Sequence, residues 1–440
     1  MKTTAQSRIE TSESSIEELA VEQGTTRKLI ESKPEVAPPN TDAIHIGDDD
    51  DTGGGGGNPS SYSTELGAEE LNKRLTTDSI TADTTDLFGE TIDLNSGSLS
   101  FSYLDASLPC NNAIDMAVRR SFKGSRFTWA SDLSMGDWQL DIPHIHTVQA
   151  LSSGGWSGLW GDGKECSGNG NYGLISLQGV TYEPEQYWTG DTLHVPGKTN
   201  DKLLRNSGDG LIAPAGQYPK VTKSNWKISC IDRIENGRRI GESFVAHSPD
   251  GLTYTFSKLK RIEARPVGPL IRFNTYMMVT EIRDRFNNTV NYHYSGDNLS
   301  YILSSDGRRI DFTYQNSAHP KYVTSAIING RQWHYHYSGS SLTSITRPDG
   351  KSWQFSMGML GTVQPRNLHG SCTPGSAGRS FNVSITHPNG LVGTFNIRDT
   401  LHGRSNVPRQ IATIKGKKDM TRCDSSLSIR SKELSGPDDK

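Results

Sequence analysis

The residues with chemical potential are few and scattered. Gly155-Trp-Ser-Gly158 comes nearest to a nucleophile elbow, but it lacks the final glycine of a G-x-S-x-G turn, so Ser157 is a poor acyl-transfer nucleophile. His144 with His146, and His334 with His336, stand two apart, which puts both rings on one face of a strand and offers two metal ligands. Neither pair has a third histidine or a carboxylate beside it in a recognisable zinc pattern, so no metal and no other cofactor is expected. For His334 and His336, the neighbours Trp333, Tyr335 and Tyr337 take the other, core-directed face. Glu183 with Glu185, and Asp162 near Trp160, are acids that could serve a glycosidase, which needs two carboxylates about 5–10 Å apart; solvated loop acids are the plainer reading. Trp156, Trp160 and Trp188, with Tyr172 and Tyr187, lie in polar loops where exposed rings could stack on sugars or cap the end of a sheet. Asp48-Asp-Asp-Asp51 before Gly53-Gly-Gly-Gly-Gly57 sets acids beside glycines without the ligand spacing of a calcium loop. Phosphate-loop and dinucleotide fingerprints do not occur, and the expectation is a protein that is not an enzyme.

The positioning elements are strands. Across 440 residues, hydrophobic residues make up 33% and glycines number 45, a mix that fits many turns and a disordered portion. The net charge of -3, with no basic block, argues against nucleic acid and against an anionic membrane surface. No apolar run reaches the roughly 18 residues of a spanning helix, so no membrane span is expected. Met1-Lys-Thr-Thr-Ala-Gln-Ser-Arg-Ile-Glu10 lacks the apolar core of a secretory signal, which implies an internal protein or a different export route. Cys110, Cys166, Cys230, Cys372 and Cys423 are odd in number and widely spaced, which predicts free or buried thiols rather than a disulfide framework.

Residues 1–85 read as a disordered acidic and glycine-rich tail, with two short helical patches around Ser15 to Val21 and Thr64 to Leu75. Order begins near Asp86. Leu99, Phe101 and Tyr103 alternate with Ser100 and Ser102, and Trp138, Leu140 and Ile142 share a face. Residues 86–245 are thus an N-terminal β-domain, with a loop-rich aromatic insertion over 151–220.

From 246 to 400 the sequence repeats. Counting from the turn residues Asp250, Phe286, Asp306, Asn329, Asp349 and Asn389, position +6 holds Phe256, Tyr292, Phe312, Tyr335, Phe355 and Phe395. Position +4 holds Tyr254, Val290, Ile310, Trp333, Trp353 and Gly393, and position −4 holds Ile282, Ile302, Ile345 and Ile385. Gly251, Gly307, Gly330, Gly350 and Gly390 follow the turn residue and supply the positive φ of a tight hairpin. From Phe286 onward the spacings are 20, 23, 20 and 40 residues, the last hiding an eroded copy around Val363 to Ser376. The unit is strand, turn, strand; one such hairpin is marginal in water, whereas an array is not. A propeller repeat is about twice as long, and a sandwich does not require one turn register six times.

These copies resemble the Rhs/YD-repeat family: bacterial Rhs polymorphic toxins, the B/C shells of insecticidal toxin complexes, and teneurins. The family pattern is loosely G-x-x-x-x-(Y/F)-x-Y-D. Gly307 to Tyr314, Gly330 to Tyr337 and Asp284-Arg-Phe-Asn-Asn-Thr-Val-Asn-Tyr-His-Tyr294 match it, with Tyr294, Tyr314 and Tyr337 as the repeat tyrosines. The closing aspartate departs from the pattern: Ser295 follows Tyr294, and Ser338 follows Tyr337. Upstream, Asp93-Leu-Asn-Ser-Gly-Ser-Leu-Ser-Phe-Ser102, Gly136-Asp-Trp-Gln-Leu-Asp-Ile-Pro143 and Phe244-Val-Ala-His-Ser-Pro-Asp-Gly-Leu-Thr-Tyr-Thr-Phe256 resemble the N-terminal domain of Rhs proteins. The resemblance implies an all-β fold: an N-terminal β-domain running into a YD-repeat β-hairpin ribbon, part of a hollow shell. It further implies a non-enzymatic scaffold, secreted or at the cell surface, whose partner is a C-terminal effector or downstream shell segment. Residues 401–440 then read as a polar C-terminal tail of a truncated repeat region. A carbohydrate-binding adhesin using Trp156, Trp160 and Trp188, with glycans as partners, is the alternative, and a glycoside-processing enzyme the weakest reading.

Overall fold

The computed structural model describes residues 88–436 apart from 93–98, 109–113, 124–133, 151–162, 169–173, 183–186, 207–216, 268, 317–321, 358–374 and 404–422. All of these fall within one compact unit, Pro59–Lys440. The tail, both helical patches and the acidic-glycine run lie outside the described residues. Strands dominate what is described, and the chain is all-β.

A first sheet consists of β1 (Glu90–Ile92), β2 (Leu99–Leu108), β3 (Met116–Lys123) and β4 (Gln139–Leu140), paired in that order. Next come β5 (His144–Ala150), the small hairpin β6 (Ile175–Leu177) and β7 (Val180–Tyr182), then β8 (Thr192–Val195) and β9 (Thr199–Lys202). A long meander follows: β10 (Leu204–Arg205), β11 (Lys220–Val221), β12 (Lys227–Glu235), β13 (Arg238–His247), β14 (Thr253–Val267) and β15 (Leu270–Arg283). It continues through β16 (Thr289–Ser295), β17 (Asn298–Ser304), β18 (Arg309–Tyr314), β19 (Val323–Ile328) and β20 (Arg331–Ser338). The last strands are β21 (Ser341–Thr346), β22 (Ser352–Ser356), β23 (Gly375–Thr386), β24 (Val392–Gly403) and β25 (Cys423–Ser435).

From β10 to β25 each strand pairs antiparallel with the next, so the sheet crosses residues 245 and 246 without a break. The segment around Val363 to Ser376 lies mostly outside the described residues. Among the described strands, β22 pairs directly with β23, Phe355 opposite Ile385. The sheet branches at β15: Glu281–Arg283 pair with β16, whereas Arg272–Met278 pair with β5, which carries β8 and β9.

The turns are of two kinds. At Asp250, Phe286, Asp306, Asp349 and Asn389, the residue two before the turn accepts the N–H of the residue after it. That geometry, with positive φ at Gly251, Asn287, Gly307, Gly350 and Gly390, is a three-residue loop closed by a glycine bulge. Asp306, Asp349 and Asn389 each accept the N–H two residues on through the side chain, which is why an acid or amide recurs there. At Asn329-Gly330 both residues have positive φ, and Ile328 pairs with Arg331, a two-residue turn. That loop is one residue shorter, so Ala326 rather than Ser325 stands opposite Phe312 and Trp333, in the place isoleucine holds elsewhere.

Candidate functional site: the seam between the two sheets

The repeat-defining residues form a wall, and the first sheet covers it. Phe256, Tyr292, Phe312, Tyr335, Phe355 and Phe395 are all buried, none more than 9% exposed. Register explains their regularity. Four of the six +6 aromatics face an aliphatic residue of the next strand, which faces the +4 residue of the strand beyond: Tyr292, Ile302, Ile310; Phe312, Ala326, Trp333; Tyr335, Ile345, Trp353; Phe355, Ile385, Gly393. At the two ends of the series Phe256 faces Val279 and Phe395 faces Lys432. Cross-strand pairs of this kind stabilise by roughly 0.2–1 kcal/mol each relative to Ala–Ala pairs. Both sheets contribute to a single apolar core. Phe101 meets Phe395 edge-on at 5.1 Å, Trp138 lies 5.1 Å from Phe355, and Tyr103 lies 4.4 Å from Trp353.

Phe88 supplies a side chain the repeat omits. A Cβ on Gly393 would stand 2.5 Å from the Phe88 ring, which packs edge-on against Trp353 and Phe395. The Gly136-Asp-Trp motif is likewise explained by the seam. Gly136, at φ +67, brings backbone so close that a Cβ would lie 2.5 Å from the Ser340 carbonyl. Asp137 accepts the Leu342 N–H at 2.8 Å, and Trp138 is 1% exposed in the core.

The tyrosines at the ends of the hairpins close the backbone. Tyr294, Tyr314 and Tyr337 donate their hydroxyls to the carbonyls of Val279, Leu299 and Val323 at 2.7, 2.8 and 2.8 Å. A register shift precedes each of them, after His293, Thr313 and His336. Val279 and Val323 donate their own N–H to Pro143 and Ser134, which face them from outside the ribbon's ladder.

At the centre of the seam an ion pair is shut away from water. The Arg120 guanidinium lies 3.3 Å from Asp105, both side chains 1% exposed, and 4.9 Å from the ring centres of Tyr103, Trp138 and Phe355. Tyr335 donates to the other Asp105 oxygen at 3.1 Å. Burial pushes the Asp105 carboxyl up and the Arg120 guanidinium down, and each charge opposes the other's shift. Perturbed acids often mark active sites, but a substrate must reach them. This pair is enclosed, so its chemistry is that of a buried structural contact.

A second polar group gathers at the branch, and it corrects an expectation. His144 and His146 do acquire a third histidine and a carboxylate: His194 pairs across from His144, and Asp141 accepts from His194 Nε2 at 2.6 Å. The signal was present in Asp141-Ile-Pro-His144 and in the alternation of Thr192-Leu-His-Val195, but 50 residues separate His144 from His194. The grouping nevertheless lacks the geometry of a metal centre, and no group of three or more ligands among the described residues has it. His334 and His336 are exposed and stand apart, with Trp333 and Tyr335 buried on the opposite face.

The other candidates divide similarly. Trp188 packs against Ala150, Tyr182, Tyr187 and Leu270 in a small second core rather than projecting from a loop. Trp156, Trp160, Ser157, Asp162, Glu183 and Glu185 lie outside the described residues. The expectation of unpaired thiols fails at two positions: Cys166 and Cys230 form a disulfide. Their separation of 64 residues hides the pairing from any local motif. Cys166 is held there because Glu242 accepts its N–H at 3.0 Å and Glu165 pairs with Arg233 at 2.8 Å. Comparison with models of protein families finds no match, and comparison with curated proteins finds none either.

Proposed function

We propose that this chain is a non-enzymatic scaffold, the N-terminal segment of a shell of the Rhs/YD-repeat kind that encloses or presents an effector encoded C-terminal to it. The supporting observation is that turn, buried aromatic and tyrosine–carbonyl bond recur hairpin after hairpin at Tyr294, Tyr314 and Tyr337. A meander that grows by one self-similar hairpin at a time can be lengthened without redesign, the property a shell wall needs. The Cys166–Cys230 disulfide fits maturation in an oxidising compartment, as for an exported shell.

The test is to co-express the chain with the coding sequence immediately downstream and to treat the product with protease. Under this proposal a downstream segment contributes further hairpins, co-purifies, and shields an effector from cleavage. If nothing co-purifies, or the associated polypeptide is cut as fast as it is when free, the scaffold reading fails.

A further inference from the structure

We propose that the histidine group at the branch makes β5, β8 and β9 an acid-released latch on β15. The branch is fastened by the pairing of His144–Ala150 with Arg272–Met278. His144, His146 and His194 sit together on one side of that attachment. The His144 ring lies 5.1 Å from His146 and 4.8 Å from His194, and Tyr276 of β15 lies 5.4 and 6.0 Å from His144 and His146.

Their hydrogen bonds suit neutral rings. His144 Nδ1 donates to the Ile142 carbonyl at 2.8 Å, and His146 Nδ1 is buried with no hydrogen-bond partner. The titratable and charged groups that face them are Lys123 of β3, Lys202 of β9, His194 of β8, Tyr276 of β15, and Asp141 from the link between β4 and β5. Lys123 and Lys202 are cations, and the carboxylate of Asp141 is engaged with His194. A proton added to His144 or His146 therefore enters a buried site beside like charge.

Burial above all, against the opposing pull of Asp141, holds His144 down to about 3, and burial with the nearby Lys123 and Lys202 holds His146 well below its ordinary value. The folded pKa lies below the unfolded one, so the latch is stable above about pH 6.5 and loosens as pH falls toward the folded value. Opening the branch lets both rings take protons from water. At pH 5.0 that favours the open form by about thirtyfold for each histidine that stays neutral when closed. His334 and His336 of the ribbon do not share this fate, because they are already exposed.

Hydrogen exchange on the full chain at pH 7.5 and 5.0, corrected for the intrinsic rates, tests the idea. Peptides from β5, β8, β9 and residues 270–278 should lose at least tenfold protection at pH 5.0, while β17–β22 keep theirs. The double variant His144→Gln with His146→Phe should hold the branch closed at both pH values. Should that variant not fold, the wild-type profile still decides, together with an NMR titration in which His144 and His146 stay neutral until the branch opens. Equal branch protection at both pH values, a loss spread evenly over the ribbon, or an undiminished pH response in the folded variant would each overturn the latch.

Discussion

At the scale of single residues, the departures from the repeat are as informative as its matches. Gly393 breaks the +4 row because Phe88 occupies the space a side chain there would fill. Phe88→Ala should destabilise by about 3–5 kcal/mol through the cavity it leaves. Gly393→Val alone should cost about 1–3 kcal/mol by overpacking. Combined, the two should recover part of the loss, a coupling of about 1–2 kcal/mol in denaturant unfolding; strict additivity would show that the ring does not substitute for the missing side chain. Tyr314→Phe should cost about 1–3 kcal/mol, because the Leu299 carbonyl loses its donor. The tyrosines were visible in the sequence as a recurring letter. Their task was not, because each acceptor is a backbone carbonyl 14 or 15 residues upstream and carries no side-chain signature.

At the scale of elements, hairpins were legible because their determinants are local. Alternation and a turn dipeptide lie within about ten residues of one another, and the structure places turns at all six predicted sites. Turn type was less legible: Asn329-Gly330 and Asp349-Gly350 look alike, yet one closes a two-residue loop and the other a three-residue loop with a bulge. The side chain of Asp349 accepting the Lys351 N–H belongs to the longer form. The disulfide ties a loop to the β12–β13 hairpin over a separation of 64 residues. Chain entropy then assigns it about 4 kcal/mol. Cys166→Ser, or reduction of the wild type, should lower the unfolding free energy by about that amount, and the variant should no longer respond to reductant. An unchanged midpoint in the wild type after full reduction would contradict the assignment.

At the scale of the whole molecule, the two sheets share one core, so neither is expected to melt alone. Trp138 reports from the first sheet and Trp333 and Trp353 from the ribbon, all within that core. Tryptophan fluorescence and far-UV circular dichroism should therefore trace the same thermal transition at neutral pH. Two separated transitions would mean that the first sheet is a removable cover. The Arg120–Asp105 pair belongs to this scale as well. Arg120→Met alone strands a buried carboxylate and should cost about 3–5 kcal/mol, whereas pairing it with Asp105→Leu should return most of the loss.

Local chemistry alone settled the all-β class, the hairpin unit, the turn positions and the inward row of aromatics, because alternation and turn residues act over a few bonds. The partner of that row, the burial of Arg120 with Asp105, the pairing of Cys166 with Cys230 and the meeting of His144 with His194 were decided by tertiary structure. Those contacts join residues from 15 to more than 200 positions apart. Nothing in a strand's own period names what will pack across from it, so the wall could be read from the letters and its lining could not.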